Sequence, residues 1–398
     1  MITKRYGDLE IGYLANWQHP TGGVGAGTVI PPAGWYGPGS NYRMTFFIPQ
    51  PGGLVFRDRS ASQDLLRPPV DYRFLGSVPG HTGGVWRPVP PEGYVALGDL
   101  WTGWYTGNNK PGPEWGIACV KKTHAGRDYV RRAELGRHPL WAPSNAGFAL
   151  WPIVAPLYPD ANDQRRLLLP AFTFSLGPTG QPAPTEVTWM LDLPALVEEN
   201  DEFPELRLDS YDSPADYAVV TDRMVTVPYV MVNDPDRTET WKLQNSPFYK
   251  IMRKRHYQLV RHVDFRGSGG GSITETIEEG VSNEASEEFS KTTGITVGVT
   301  VGVEASAKVF GIGASVMMST SISTSIELGY SRRYSVQTFR NRSVSVTYDV
   351  PAGHAGALWS DTHELVPVRG NGELVSRSSL MLHSGSYTGR TFPHTPDT

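Results

Sequence analysis

Residues 294–303 read Gly-Ile-Thr-Val-Gly-Val-Thr-Val-Gly-Val, and this alternation is the strongest fold signal in the chain. Successive side chains of a β-strand point to opposite faces, so the branched apolar residues share one face. Threonine and glycine occupy the other face. The stretch therefore predicts a strand with one apolar side and one small or polar side. The apolar positions are Ile295, Val297, Val299, Val301 and Val303.

The same alternation resumes at residue 312 and continues to residue 328. One parity is apolar apart from two threonines, and it includes Ile312, Val316, Met318, Ile322 and Ile326. The other parity is mostly serine, and it includes Ser315, Ser319, Ser321 and Ser323. Between Phe289 and Ile326 the charged residues are Lys291, Glu304 and Lys308. Two amphipathic strands with few charges on either face predict a hairpin over about residues 290–330.

This pattern fits a hairpin that inserts into a membrane. A membrane-spanning strand needs about 9 to 11 tilted residues, with apolar side chains toward lipid and polar ones toward water. Because backbone groups in lipid must all be paired, the strands would close into a barrel built from several chains. The apolar parity would then face lipid, and Thr296, Thr300 and the serines would face the lumen. The alternative is a pair of half-buried strands in an elongated sandwich.

The overall composition also favours an all-β protein. The 398 residues include 43 glycines and 33 prolines, 19% are charged, and the formal net charge is −4. Short apolar runs that end at turn residues favour sandwiches over helical bundles. A nearly neutral chain lacks the basic surface that phosphate binding needs, so no nucleic-acid partner is expected. The single cysteine, Cys119, excludes an intramolecular disulfide.

Neither a secretory leader nor a spanning helix is predicted. The first residues, MITKRYGDLEIGYL, lack the apolar run of a signal peptide. No stretch of about 18 apolar residues occurs elsewhere, so no transmembrane helix is expected. We therefore expect a soluble protein that is released from the producing cell and acts at the membrane of a target cell.

A change of composition near residue 205 predicts two domains. Residues 1–205 are rich in Trp, Pro and Gly and predict a β-rich, sandwich-like or prism-like recognition domain. Within it, PPVDYRFLGS at 68–77 and PPEGYVALGD at 90–99 share Pro-Pro, Tyr and Leu-Gly in one register, which predicts a duplicated strand-turn unit. Residues 206–398 are rich in Ser, Thr, Val and Gly and predict long antiparallel strands, with strand-like alternation at 225–232 and 343–350.

The first half resembles a known family. The stretch WRPVPPEGYVALG at 86–98 is similar to the repeated motif of the vacuolar protein-sorting-associated protein 62 family. Lys110-Pro111, Ala118-Cys119-Val120 and residues 147–151 follow in a similar order, and the resemblance covers about residues 8–155. It implies a domain type but no activity.

The second half resembles the aerolysin-type pore-forming toxins, and most of all the bacterial insecticidal epsilon-toxin and mosquitocidal group. The segments that carry the resemblance over about residues 210–385 are 246–249, Tyr257, 273–277, 280–282, 289–295 and 350–353. The resemblance implies an elongated domain of long twisted strands, a Ser/Thr-rich insertion hairpin, ring-shaped oligomers and an invertebrate target.

Two further groups of residues are candidates for function. Six glutamates and no basic residue lie between Ile273 and Phe289; Glu278 and Glu279 among them would favour cations if they lined the lumen. The alternative is a solvated strand or short helix. Trp101, Trp104 and Tyr105 predict a receptor-binding or glycan-binding surface, because aromatic rings suit such surfaces, although packing inside a β domain is the alternative.

No motif predicts catalysis, a cofactor or a metal. The glycine-rich stretch at 21–28 lacks the lysine of a phosphate loop, and no Gly-x-Ser-x-Gly or metal-ligand spacing of histidines is present. We therefore expect a non-enzymatic toxin that binds a surface receptor or glycan, assembles into a homo-oligomer and inserts a barrel. The alternatives are a non-lytic carbohydrate-binding or receptor-binding β protein, or an unrecognised hydrolase in the Trp-rich half.

Overall fold

Strands dominate the structure, a computed structural model, and the predicted all-β class is confirmed. Every strand pair with a defined register is antiparallel, and two short α-helices occur in the described part of the chain. None of the helices there is long and apolar enough to cross a membrane. The structure describes residues 1–15, 17–18, 27–42, 52–77, 83–102, 110–136, 139–142, 147–154, 166–169, 171–179, 185–295, 342–376 and 379–394.

The described residues form two compact units. The first contains residues 1–196 and 227–249, and the second contains residues 197–226, 250–295 and 342–394. The composition change near residue 205 lies close to the first division at Leu196. That each half is a separate functional domain stays a prediction.

Small antiparallel sheets build the first unit. Three of them have the strand orders β1-β2-β5, β7-β8-β10 and β6-β11-β9, and two more have the orders β14-β19-β17 and β15-β16-β18. The pairs β3-β4 and β12-β13 complete the set within the described residues. The strands are β1 (Thr3–Tyr6), β2 (Leu9–Leu14), β3 (Trp17–Gln18), β4 (Thr28–Val29), β5 (Gly53–Asp58), β6 (Leu66–Arg67), β7 (Asp71–Ser77), β8 (Gly84–Val89), β9 (Tyr94–Val95), β10 (Leu100–Trp101), β11 (Cys119–Lys121), β12 (Thr123–His124), β13 (Arg127–Asp128), β14 (Val130–Arg132), β15 (Glu134–Leu135), β16 (Phe148–Val154), β17 (Arg166–Leu169), β18 (Phe174–Pro178) and β19 (Trp189–Pro194).

The two similar stretches at 68–77 and 90–99 adopt different structures. The first contains β7, a seven-residue strand whose side chains are exposed or half-buried. The second contains β9, a buried two-residue strand in a different sheet. The residues that the two stretches have in common therefore do not form the two equivalent strand-turn units that the sequence predicts.

Residues 227–249 belong to the first unit, because their aromatic side chains pack on its N-terminal strands. The rings of Tyr13 and Tyr229 meet edge to face at 5.4 Å, and the Tyr229 hydroxyl accepts the Gly52 N–H at 2.8 Å. The segment includes a 3-10 turn, Tyr229–Met231, and α1, Glu239–Asn245. The Thr238 hydroxyl accepts the Trp241 N–H at 3.2 Å and so caps α1. Two further 3-10 turns of this unit are Pro113–Trp115 and Thr185–Val187.

Long strands build the second unit. A five-stranded sheet has the order β20-β21-β22-β25-β26, and its strands are β20 (Leu196–Glu199), β21 (Val220–Pro228), β22 (Phe248–Asp264), β25 (Ala355–Val368) and β26 (Leu380–Phe392). The 17 residues of β22 span about 56 Å at 3.3 Å per residue. Strand β25 lies between β22 and β26 and is buried at nearly every position. Its side chain Trp359, only 1% exposed, packs with Leu206 and Leu208 in the core.

A two-stranded ribbon and a helix complete this unit. The ribbon consists of β23 (Gly271–Glu279) and β24 (Arg342–Val350), and the helix is α2 (Asn283–Thr293). The alternation in Ser343–Val350 thus correctly predicts a strand. The ribbon and α2 flank residues 296–341, in which most of the predicted insertion hairpin lies.

Candidate functional site

The ribbon brings the two ends of the predicted insertion segment together. Strands β23 and β24 pair without interruption from Gly271 and Val350 to Glu279 and Arg342. The chain therefore leaves the ribbon at Glu279 and returns to it at Arg342. Both ends of the insertion segment are therefore attached at the same end of the ribbon, which we call the root.

One face of the ribbon carries hydroxyl and acidic side chains throughout. All of its residues are exposed: Ser272, Thr274, Thr276 and Glu278 on β23, and Ser343, Ser345, Thr347 and Asp349 on β24. Pairs across the ribbon bond to each other, because the Thr274 and Thr347 hydroxyl oxygens lie 3.2 Å apart and Ser343 donates to the Glu278 carboxylate. Two cross-strand pairs on this face therefore satisfy each other's polar groups, and the whole face is exposed to water.

The opposite face of the ribbon is mainly apolar and packs on the long sheet. Ile273 and Val350 are 2% exposed and contact Leu358 of β25. The ring of Tyr348 lies directly over Gly389 of β26, where any side chain would collide with it. The hydrophobic contacts hold the ribbon against the sheet, but two glutamates interrupt this face at residues 275 and 279.

Glu279 is the centre of a polar cluster that we call the root clasp, formed by Glu279, Arg342, Gly385 and Tyr387. Glu279 is 6% exposed, and its Oε2 accepts a hydrogen bond from Arg342 Nε at 2.8 Å and lies 2.6 Å from Arg342 Nη2 in an ion pair. The Tyr387 hydroxyl donates to Oε1 at 3.2 Å. Burial, followed by the nearby Glu279 charge, raises the pKa of Tyr387 to about 12. The tyrosine therefore keeps its proton and remains a donor.

The backbone reinforces the root clasp. Gly280 and His383 exchange two hydrogen bonds, at 2.9 and 3.0 Å, which tie the end of β23 to β26. Gly385 has a left-handed φ of 70° and would place a Cβ 3.0 Å from the Glu279 carboxyl carbon. Glycine at residue 385 thus permits both the backbone turn and the close approach of Glu279.

Helix α2 follows the root clasp and leads into the insertion segment. The Ser282 hydroxyl accepts the Ala285 N–H at 3.1 Å and caps the helix. Phe289 is 2% exposed and anchors α2 in the unit. The helix ends at Thr293, Gly294 follows with a left-handed φ of 72°, and the Thr293 hydroxyl accepts the Ile295 N–H at 3.2 Å. Ile295 is itself buried, at 2% exposure.

The acidic stretch is therefore a strand followed by a short helix. Glu284, Glu287 and Glu288 are exposed on α2, as the alternative interpretation of this stretch predicts. Glu278 and Glu279 are neighbours on one strand and point to opposite faces. In this conformation only Glu278 lies on the hydroxyl face, and Glu279 lies in the root clasp. That both residues face one lumen in a pore stays a prediction.

The other predicted membrane residues lie outside the described part of the chain, so their facing stays a prediction. Those predicted to face lipid are Val297, Val299, Val301, Val303, Ile312, Val316, Met318, Ile322 and Ile326. Those predicted to face the lumen are Thr296, Thr300, Ser315, Ser319, Ser321 and Ser323.

The predicted receptor surface is placed only at Trp101. This residue is 2% exposed, and its ring lies 6.4 Å from that of Trp141. Trp101 therefore has a packing role here. Trp104 and Tyr105 lie outside the described residues, and receptor binding by them stays a prediction.

Sequence analysis missed the partners of Glu279. Tyr387 is 108 residues away and Arg342 is 63 residues away, so no local spacing connects them. One signal was available: residues 275 and 279 place charges on the parity of β23 that Ile273 and Ile277 make apolar. A charge on an apolar face predicts a buried partner. Across the described residues, no three His, Cys, Asp or Glu side chains lie close enough to hold a metal ion.

The ribbon and the root clasp lie within a stretch of the chain that matches a known protein family. Residues 220–382 match the insecticidal crystal toxin P42 family, Toxin_10. The matched range contains β21 to β25, α2 and the Glu279–Arg342 pair. It covers less than half of the chain, and no curated protein matches the sequence.

Solved structures give a weaker likeness. The chain is similar to Cry35Ab1 at 12% identity, over 73% of this chain and 74% of that chain, with a TM-score of 0.32. It is also similar to GNIP1Aa from Chromobacterium piscinae at 19% identity, over 44% of this chain and 34% of that chain, with a TM-score of 0.32. This chain thus matches only about a third of GNIP1Aa.

Proposed function

We propose that the protein is an insecticidal pore-forming toxin without enzymatic activity. In this proposal it reaches its target as a soluble protein, binds a surface receptor or glycan and assembles into a homo-oligomer. It then inserts residues of about 290–330 as a hairpin of a transmembrane β-barrel. The match of residues 220–382 to an insecticidal toxin family supports the toxin class, and the change of composition near residue 205 is the reason for assigning recognition to a separate domain.

The observation that carries the proposal is the division of the ribbon into a hydroxyl face and an apolar face. On β23 the apolar parity is odd, as it is in residues 295–303. On β24 the apolar parity is even, as it is in residues 312–328. The strands at the root therefore have the same two-sided composition that the insertion segment carries in its sequence. Such a pattern is what a barrel wall between lipid and water requires.

The hydroxyl side also explains how such a segment can be stored in water. Ser and Thr form hydrogen bonds with each other across the ribbon and with solvent, as Thr274 and Thr347 do. They carry no charge that must be neutralised when the surroundings change. A face of lysine and glutamate would be equally soluble but would be costlier to bring near lipid.

Helix α2 gives a specific consequence of the proposal. If α2 and its cap residue become extended during insertion, the even-numbered residues from 282 to 292 continue the hydroxyl face of β23. Those residues are Ser282, Glu284, Ser286, Glu288, Ser290 and Thr292. Glu278, Glu284 and Glu288 would then lie on the lumen side of one strand, where acidic rings favour cations.

The test is dye release from vesicles with two lysine variants at adjacent positions. A Lys at the middle of a lipid-facing strand costs roughly 2 to 4 kcal/mol per chain, so Val299→Lys should abolish release. Thr300→Lys places the charge in water and should retain release. Both variants must first show the wild-type melting temperature and wild-type binding to vesicles prepared from insect midgut membranes.

Three outcomes are informative. Loss of release in Val299→Lys alone, with rings in negative-stain images of wild type, supports the proposal. Equal activity of the two variants, or equal inactivity with both folded, contradicts the assigned strand. Vesicle binding by wild type with neither release nor rings would identify a non-lytic binding protein instead.

A further inference from the structure

The first unit contains a cationic cavity that the sequence does not indicate. Its volume is about 350 Å³. We call it the basic pocket and define it by Arg73, Arg87, Lys122, Arg132, Glu186 and Trp189. Each of these side chains comes from a different place in the fold: strands β7, β8, β14 and β19, the 3-10 turn Thr185–Val187, and the residue between β11 and β12.

A buried ion pair forms the floor of the basic pocket. Arg87 and Asp99 have side chains 3% and 0% exposed, and two hydrogen bonds of 2.8 Å join them. Arg87 Nη2 also donates to Ser175 Oγ at 3.0 Å and to the Leu176 carbonyl at 3.1 Å. Asp99 matches the charge of Arg87, and these bonds fix its guanidinium. Its Nη1 points toward Glu186, at 3.4 Å.

One wall holds two cations over a single indole. The Arg132 guanidinium lies 4.0 Å from the Trp189 ring centroid, and the Lys122 ammonium lies 5.5 Å from it. Arg132 Nη1 donates to the Thr185 carbonyl at 2.9 Å, which fixes its position. Both side chains belong to exposed residues, and no carboxylate of the described residues pairs with either. Among the described residues, these two positive charges therefore have no ion-pair partner.

Glu186 occupies the opposite side and acts as an internal anion. Its carboxylate pairs with Arg73 and approaches Arg87, while its side chain is 54% exposed. Counting Asp99 and Glu186 against Arg73, Arg87, Lys122 and Arg132 leaves two excess positive charges. An incoming anion would meet Arg132 and Lys122 directly and would compete with Glu186 for Arg73.

The size and walls of the basic pocket select the class of ligand. A volume of about 350 Å³ falls within the range of small-molecule sites, roughly 300 to 1,000 Å³, and exceeds what one inorganic anion fills. Tyr94, Trp189 and the rings of Pro88 and Pro90 add aromatic and apolar lining beside the cations. Aromatic walls with a few fixed polar groups suit a sugar ring that carries an acidic group.

We propose that the basic pocket binds an acidic sugar, a saccharide that carries a carboxylate or a sulfate group. Arg132 and Lys122 receive the acidic group, and the sugar ring lies against Tyr94 and the edge of Trp189. The role of this pocket as the receptor site rests on the proposed function, whereas the binding itself does not.

The experiment is calorimetric titration of the full chain with four probes at low salt. They are methyl glucuronoside, glucose 6-sulfate, methyl glucoside and inorganic sulfate. At least one acidic sugar should bind about tenfold more tightly than the neutral glucoside, and the tighter of the two tells whether carboxylate or sulfate is preferred. Inorganic sulfate should bind more weakly than the acidic sugars.

Variants with opposite expected effects make the test sharper. Lys122→Gln and Arg132→Gln should each weaken acidic-sugar binding by about threefold or more. Glu186→Gln should strengthen it, because the internal competitor loses its charge. Lys4→Gln, an exposed lysine on β1 outside the pocket, is the matched control and should have no effect. Near-ultraviolet circular dichroism checks that each variant is folded.

Several results would overturn the proposal. Equal binding of the neutral and acidic sugars would remove the role of charge, and sulfate that binds as tightly as glucose 6-sulfate would indicate an ion site only. A Lys122→Gln variant that behaves like Lys4→Gln would place the ligand elsewhere. If acidic sugars fail to bind while vesicles still leak, this inference fails and the proposed function stands.

Discussion

Breaking the root clasp should make the protein a faster pore former. Arg342→Gln removes the hydrogen bond of 2.8 Å and the ion pair of 2.6 Å that the arginine makes with Glu279, and leaves Tyr387 as donor to that carboxylate. The ribbon loses part of its attachment at the point where the insertion segment leaves the second unit. If release of this root precedes insertion, less free energy is needed to open it.

The magnitude follows from the exposure of the two partners. Hydrogen bonds to a charged group contribute roughly 1.5 to 3 kcal/mol when they are buried. The Glu279 side chain is 8% exposed, but that of Arg342 is 62% exposed, so solvent screens the pair. We therefore expect a loss of about 1 to 2 kcal/mol, which is about a 5-fold to 30-fold change in the opening equilibrium.

The assay pairs hydrogen exchange with dye release. Amide exchange of β23 and Gly280 reports opening of the root, and the initial rate of release from midgut-membrane vesicles reports insertion. Arg261→Gln is the matched control, because Arg261 pairs with Glu275 of the same ribbon at 3.7 Å while its side chain is 60% exposed. That pair should contribute less than about 0.5 kcal/mol.

Two results would refute this reasoning in different ways. If exchange at Gly280 is unchanged in Arg342→Gln, the clasp does not hold the root. If exchange accelerates by the expected factor and dye release does not, the root opens but does not limit insertion. Equal effects of Arg342→Gln and Arg261→Gln would show that burial of Glu279 has no special consequence.

Three other predictions concern the same region. Gly385→Ala should lower the melting temperature more than Gly353→Ala does, because both glycines have φ near 70° but only a Cβ at residue 385 meets Glu279; equal losses would rule out the contact. Burial lowers the pKa of His383, so the unfolded chain binds protons more readily than the folded one, and the free energy of unfolding should fall as pH drops below about 6.5. In urea titrations at pH 7 and pH 5, His383→Gln should show a smaller loss of stability between the two pH values than wild type. An equal loss in the two proteins would assign the pH dependence to other groups. Glu278→Lys should reduce cation preference in bilayer reversal potentials, whereas Glu287→Lys, on the odd parity, should reduce it less; the reverse order would contradict the facing we infer.

Local sequence patterns predicted which residues of the second unit form strands, but not which strands pair with each other. Alternation in Ser343–Val350 identifies β24 and both of its faces, because side-chain facing along a strand depends only on parity. The pattern at 225–232 predicts a strand, but β21 ends at Pro228 and a 3-10 turn follows at Tyr229–Met231. Proline cannot donate to a ladder, which is the physical reason for this end.

Long-range assembly was beyond what the sequence alone can indicate. Residues 227–249 join the first unit because Tyr229 packs on Tyr13, more than 200 positions earlier, and no local signal marks that contact. The basic pocket collects side chains from five separated stretches, and only their common sheet arrangement brings Lys122 and Arg132 to Trp189. For Trp101 the sequence suggested a site where the structure shows none: its residue type suggests a ligand surface, but its burial assigns it to packing.

Two ion pairs of the second unit differ in burial, and this difference would let the ribbon detach while the long sheet stays intact. Arg253 and Asp222 join two strands of the long sheet, and their side chains are 10% and 2% exposed. Removing one partner of such a pair leaves a buried charge and costs several kcal/mol, so that sheet should stay intact. Glu279 is buried to a similar degree, but Arg342 extends into solvent. Water can replace the arginine as Glu279 becomes exposed, and the clasp can therefore open without stranding a charge. A pair buried on both sides would lock the ribbon to the sheet, and a pair exposed on both sides would hardly hold it.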